Sequence, residues 1–131
     1  MLCLAAQYEM QLVIGIEYLP ELVSIARHNA SGLRGKRTPV EIYAVAAEDF
    51  DYSRDTVLYF FNPFEADILD AVLHKVAADR QMKPLRLAFV MESPEQRAVF
   101  DRHNWLECYA RWTDGPGHLN YALYRQMHLR K

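Results

Sequence analysis

Three features of this 131-residue chain predict an α/β fold. Two short apolar runs, Val13-Ile14-Gly15-Ile16 and Thr56 to Phe61, are each followed by a segment with helical three-four spacing. Near-continuous apolar runs of this kind mark parallel strands buried on both faces. The third feature lies at the end of the chain. Two alternating segments, Trp105 to Trp112 and Leu119 to Gln126, flank Thr113-Asp-Gly-Pro-Gly-His118, which reads as an antiparallel hairpin. The expected architecture is a mostly parallel sheet with helices on both faces, closed by an antiparallel pair.

The elements follow in order. The first residues, MLCLAAQYEM, are strong helix formers with Leu2, Ala5 and Ala6 on one face. With no strand before this helix, the chain reads as starting inside its first strand-helix-strand unit. Val13 to Glu17 is a buried strand that stops at an acid, at the edge where open α/β sheets bind ligands. Pro20 opens a helix in which Leu22, Ile25, Ala26 and Asn29 share a face. Ala30 to Pro39 carries glycines, basic residues and a proline, and reads as a solvated loop. Val40 to Ala44 alternates as a second strand, with acids following at Glu48, Asp49 and Asp51. Thr56 to Phe61 is β-branched and aromatic, and Asn62-Pro63-Phe64-Glu65 ends it. Ile68, Leu69, Val72, Leu73 and Val76 form the stripe of the next helix, which stops before Lys83-Pro84. Leu85 to Val90 is another strand. Ser93-Pro94-Glu95-Gln96 then has the form of a capping box with proline at the first helical position, and its helix ends near His103-Asn104.

Length and composition, 51% hydrophobic and 24% charged, fit one globular domain and exclude extended disorder. A net charge of −2, from 15 basic and 17 acidic residues, excludes a chain-wide nucleic-acid surface. No apolar run approaches the ~18–20 residues that span a bilayer, and MLCLAAQYEM lacks the charged leader of a signal peptide. A soluble, cytoplasmic protein with no membrane partner is expected. Cys3 and Cys108 show no CxxC spacing. His28, His74, His103, His118 and His128 share no metal-site spacing, so no metal is expected.

In the order of these elements the chain resembles the class I, Rossmann-like S-adenosylmethionine-dependent methyltransferases. The likeness rests on Gly15-Ile16-Glu17 with Pro20-Glu21-Leu22, on Ala47-Glu48-Asp49-Phe50, on Phe60-Phe61-Asn62-Pro63-Phe64, and on the closing hairpin. It covers nearly the whole chain. The resemblance implies that Glu17 accepts from both ribose hydroxyls of the cofactor and that Tyr18 lies against the adenine. It implies that Asp49 accepts from the adenine amino group while the Phe50 amide donates to a ring nitrogen. Asn62 would stand beside the methyl-accepting atom, with Pro63 and Phe64 shaping the slot. Three departures stand out. No glycine-rich loop precedes Val13, so the chain reads as a member lacking its N-terminal strand and loop, a strand that lies centrally in the family's sheet. Asn62-Pro63-Phe64 is one proline short of the Asn-Pro-Pro-aromatic motif of amino-group methyltransferases. Val45-Ala46 stands where many members carry Gly-Asp.

Methyl transfer to an unidentified acceptor (a protein side chain, a small molecule or RNA) is therefore the expected activity, impaired by the missing loop. The alternative is a non-catalytic α/β domain that binds no cofactor and self-associates through exposed strand edges. A nicotinamide-dependent oxidoreductase fits less well, since GxGxxG is absent and the closing hairpin is foreign to that fold. Each site residue also has a plain structural reading. Glu17 also reads as a solvated strand end, the weaker of its two readings, and Asp49 reads equally as part of an acidic turn with Glu48 and Asp51. Asn62 reads as a helix N-cap, with Pro63 at the first position and Glu65 reaching back.

Overall fold

The computed structural model describes residues 12–35, 37–61, 64–115 and 119–127. The helix expected at the start of the chain lies outside these residues, as do Asn62, Pro63 and His118. The chain divides into two compact units, Met1–Phe50 and Asp51–Lys131.

In the first unit, strand β1 (Val13–Glu17) pairs in parallel with β2 (Val40–Ala44), from Val13 opposite Val40 to Glu17 opposite Ala44. Between them runs helix α1 (Pro20–Ser31), started by a proline that needs no amide partner and by Glu21 in the first turn, where an acid suits the helix dipole. The packing face of α1 differs from the expected one. Val23 and Ala30 are buried with Ile42, and Ala26 and Val40 pack against them, whereas Leu22 and Ile25 are 45% and 56% exposed. Two adjacent stripes share Ala26, and periodicity alone does not choose between them. The stripe that packs holds the smaller side chains, which let helix and sheet approach closely. Arg27 reaches over β2 and donates from Nε and Nη2 to the Ile42 carbonyl at 3.2 and 2.8 Å.

In the second unit, β3 (Val57–Phe61) pairs in parallel with β4 (Arg86–Val90). The hairpin strands β5 (Leu106–Thr113) and β6 (Asn120–Gln126) are antiparallel, and β6 lies antiparallel beside β4, giving the order β3-β4-β6-β5. Hence β3 is an edge strand of this sheet. Leu58 and Phe60 are buried, while Val57, Tyr59 and Phe61 on the opposite face are 67%, 40% and 54% exposed. Helix α2 (Ala66–Arg80) buries Leu69, Val72, Leu73 and Val76 completely, the stripe its spacing predicts. Helix α3 (Pro94–Arg102) packs against α2. A run of aromatic contacts ties strands to helix: Phe60 to Phe89 at 6.1 Å, Phe89 to Phe100 at 5.4 Å, and Phe100 stacked on Tyr124 at 4.0 Å.

Helix starts show how local signals fared. The capping box at Ser93 is formed in full: Ser93 Oγ accepts from the Gln96 amide at 3.2 Å, and Gln96 Oε1 accepts from the Ser93 amide at 2.8 Å. The reading of Asn62 as an N-cap is corrected, because α2 starts at Ala66 with Glu65 in the N-cap position. Phe64 explains the delay. Its ring packs edge-on against Phe60 at 5.3 Å, and its carbonyl accepts from Gln96 Nε2 at 2.6 Å, which holds residue 64 outside the helix. At the other end Arg80, 6% exposed, donates to the Ser53 and Pro84 carbonyls at 2.7 and 2.8 Å, and Gln81 turns the chain with φ of 49°.

Ser93→Ala removes one half of the capping box and should lower stability by about 1 kcal/mol in urea unfolding; a loss within error would mean that α3 is held by its packing alone. Asp55, in the loop before β3, has its carboxyl pushed by burial from 3.8 up to about 6, with Arg54 and Arg80 pulling the other way. The folded state then holds a proton that the unfolded state has lost, so stability falls as pH rises from about 4 through about 6. Discounted for partial exposure, this loss is on the order of 1 kcal/mol. Asp55→Asn should flatten that part of the stability curve, and a curve unchanged in shape would remove Asp55 as its source.

Candidate functional site

Because β1 and β2 are parallel, Glu17 and Ala44 end at the same edge of their sheet. The loops leaving that edge carry the residues expected to bind the cofactor. Glu17 is half-buried, and its Oε1 accepts from the Leu19 amide at 3.2 Å, which turns the carboxylate toward the start of α1. A helix N-terminus favours an anion there, so the acid is held in place by the turn it sits beside. Tyr18 is 72% exposed. After β2 the chain makes a single 3-10 turn, Ala47–Asp49, closed by the Asp49 amide on the Ala46 carbonyl at 3.0 Å. Asp49 is exposed there, and the Phe50 ring lies 6.1 Å from that of Tyr43. Glu17, Tyr18, Asp49 and Phe50 are thus gathered at one sheet edge of one unit. The acids offer hydrogen-bond acceptors and the rings offer flat apolar surface.

In the second unit, Phe64 follows the carboxyl end of β3, as expected; Asn62 and Pro63 lie outside the described residues. The carboxyl end of β4 carries a cluster that sequence reasoning misses. Met91 turns the chain with φ of 66°, and the Glu92 amide donates to Asn120 Oδ1 at 2.9 Å. The Glu92 side chain is only 4% exposed. It accepts from Arg111 Nη2 at 3.1 Å and from the Tyr124 hydroxyl, and Arg111 Nη2 also meets that hydroxyl at 3.0 Å. Burial, and then the Glu92 carboxylate, raise the Tyr124 pKa. The three groups satisfy one another, so this cluster anchors the hairpin to the end of β4. No local pattern could announce it, because Arg111 and Tyr124 stand on different strands and Glu92 precedes a cap motif. A surface depression of 470 Å³, lined by Leu85, Arg86, Glu107, Arg125 and Gln126 among others, lies at the amino end of β4. That is the edge opposite Glu92.

No family model matches the sequence, and no curated protein is similar enough to count as a relative. Solved structures do match. An rRNA methylase from Streptococcus thermophilus aligns with 97% of this chain and 93% of its own, at 9% identity and a TM-score of 0.59. A proposed methylase from Haemophilus influenzae aligns over 90% of this chain and 68% of its own, at 13% identity and a TM-score of 0.58. A proposed tRNA methyltransferase from Streptococcus pneumoniae, solved with S-adenosyl-L-methionine, aligns over 92% of this chain but only 56% of its own, at 18% identity and a TM-score of 0.51. The chain therefore has the fold of the class I S-adenosylmethionine-dependent methyltransferases. Identities this low define the fold and leave the activity to be argued from the residues.

The Glu92 cluster makes a testable demand. Arg111→Met leaves a buried carboxylate short of its cation and should cost about 2 kcal/mol in urea unfolding. Adding Glu92→Gln should restore part of that loss, since the charge left unpaired is gone. A double variant no more stable than the single one would show that the penalty is packing and not charge.

Proposed function

We propose that the chain is a methyltransferase-like domain spanning residues 1–131 that takes S-adenosylmethionine at the carboxyl edge of β1 and β2. One observation carries this reading. On a methyltransferase fold, Glu17 ends β1 with one carboxylate oxygen tied to the Leu19 amide, at the edge where such sheets bind nucleosides. The donor set suits the ligand, since carboxylates accept from hydroxyls and an amino group, and exposed aromatic rings cover a flat base.

The cofactor supplies a methyl group on a sulfonium, ready for displacement without a metal or a covalent enzyme intermediate. The task of the chain is to bind, align and exclude water. Glu17 accepts from the ribose hydroxyls, and Tyr18 lies on the adenine. Asp49 accepts from the adenine amino group, and the Phe50 amide donates to the ring. Asn62 accepts from or donates to the methyl-accepting atom, while Pro63 and Phe64 narrow the slot around it. The acceptor is a protein side chain, a small molecule or RNA; the rRNA and tRNA enzymes among the structural neighbours make RNA the first to test. Among the described residues no helix is long and apolar enough to cross a membrane. We place the reaction in the cytoplasm.

Residues 1–12 contain no glycine, so residues 1–131 by themselves are expected to hold the methionine part of the cofactor weakly. Isothermal titration of residues 1–131 with S-adenosylhomocysteine should give weak binding, lowered at least about tenfold by Glu17→Ala, the loss expected for hydrogen bonds to a charged group. An unchanged affinity in that variant would remove Glu17 from the site, and low-micromolar binding by the parent chain would refute the impairment. The second reading, a non-catalytic module that self-associates, draws on the edge position of β3 and its exposed Val57, Tyr59 and Phe61. No binding by a folded chain that also sediments as an oligomer would favour it.

A further inference from the structure

The second unit brings together side chains that its sheet edge does not use. Asp70 and His74 stand four residues apart on α2, which places them one above the other on a single helix face. His103 reaches the same place from the C-cap of α3, carried there by the packing of α3 on α2. One possible ligand atom from each of the three lies within 4.8 Å of the others. His103 Nε2 is 2.7 Å from Asp70 Oδ1, and the two imidazole rings are 4.6 Å apart, edge to face. A tetrahedral ion with ligands at ~2.1 Å needs its donors roughly 3.4 Å from one another, inside the range these separations span. We propose that Asp70, His74 and His103 form a binding site for a divalent transition-metal ion of the zinc, cobalt or nickel class.

Hydrogen bonds around the cluster decide which atoms are available. His74 Nδ1 lies 2.8 Å from the Asp70 carbonyl oxygen, which can only accept, and 3.7 Å from Asp70 Oδ2, so without metal Nδ1 holds the proton and the lone pair is on Nε2 of the same ring. Metal-ligating histidines are commonly oriented in this way, by donation of the other ring N–H to a backbone carbonyl. His103 is set differently. Trp105 Nε1, a donor only, meets His103 Nδ1 at 3.3 Å, so without metal the proton sits on Nε2 and is shared with Asp70. An ion bound by Asp70 and His103 takes the place of that proton. The ring then carries its hydrogen on Nδ1, and the Trp105 contact is lost.

Access favours the site, while the lost Trp105 contact and a nearby cation oppose it. Asp70 offers a carboxylate oxygen 2.7 Å from His103 Nε2, at the centre of the cluster. His74 is 71% exposed in its side chain and Asp70 34%, which opens the site to solvent, while His103 at 5% anchors its floor. Arg102 Nη2 lies 3.8 Å from Asp70 Oδ1 and repels a cation. A plain helix-to-helix clamp accounts for Asp70, His103 and Trp105, and in it His74 only packs edge-on against His103 and caps the Asp70 carbonyl, whereas a metal site needs the His74 lone pair. His74 therefore separates the two readings.

Cobalt(II) titrated into the full chain should bind at one ion per chain, with tetrahedral visible bands, displacement by zinc and a change in tryptophan emission. His74→Ala and Asp70→Asn should each weaken binding at least about tenfold, the size of loss expected at a metal centre. Arg102→Ala should tighten it. His28→Ala, on α1 of the other unit, should leave it unchanged. Circular dichroism of His74→Ala, altered at an exposed position, confirms that the variant is folded. Absence of saturable cobalt binding, or equal affinity in the parent chain and His74→Ala, overturns the proposal and leaves the cluster as a clamp.

Discussion

Tyr124 is the point on which the second unit turns. Its ring stacks on Phe100 at 4.0 Å, and its hydroxyl, raised in pKa by burial, meets the buried carboxylate of Glu92. A buried carboxylate without partners is too costly to keep, so Glu92 must be matched by Tyr124 and Arg111 together. This demand sets the register of the hairpin. Tyr124 stands opposite Leu87 on β4 and Cys108 on β5, and a slip of one residue would turn its side chain to the other face of the sheet. The aromatic core and the polar edge are satisfied only in the observed pairing.

Gln96 plays a comparable part at the start of α3. It completes the capping box with Ser93 and also donates to the Phe64 carbonyl, linking the turn after β3 to the helix after β4. The backbone just beyond two neighbouring strand ends is thereby held by one buried side chain, 3% exposed. On the proposed reading Phe64 lines the acceptor slot, and Gln96 would position it without touching the substrate.

The first unit carries the candidate cofactor residues. Among its described residues Val23, Ala30 and Ile42 cluster with Ala26 and Val40 packed against them, and its candidate binding residues lie at or just beyond the strand ends. Loops on a rigid scaffold are the usual carriers of binding groups, because they tolerate the exposure that recognition needs. A ligand that binds the folded form at this edge would add to its stability by mass action.

Much of the architecture could be read from the chain itself. The strands β2 and β4, the stripe of α2, the capping box and the hairpin all rest on near-neighbour chemistry: alternation, three-four spacing, and a serine three residues before a glutamine. The same holds for Glu17, since an acid that ends an apolar run is marked by its neighbours alone. Tertiary structure alone decided the rest. Which stripe of α1 packs depends on the sheet it meets, and the Ala66 start of α2 depends on Phe64 being held by Phe60 and Gln96. Glu92 with Arg111 and Tyr124, and Asp70 with His74 and His103, are clusters whose members come from separate elements. Spacing along a chain records what adjacent residues do to one another. Groups brought together by strand pairing and helix packing leave no such record, and these two clusters became visible only once the elements were placed.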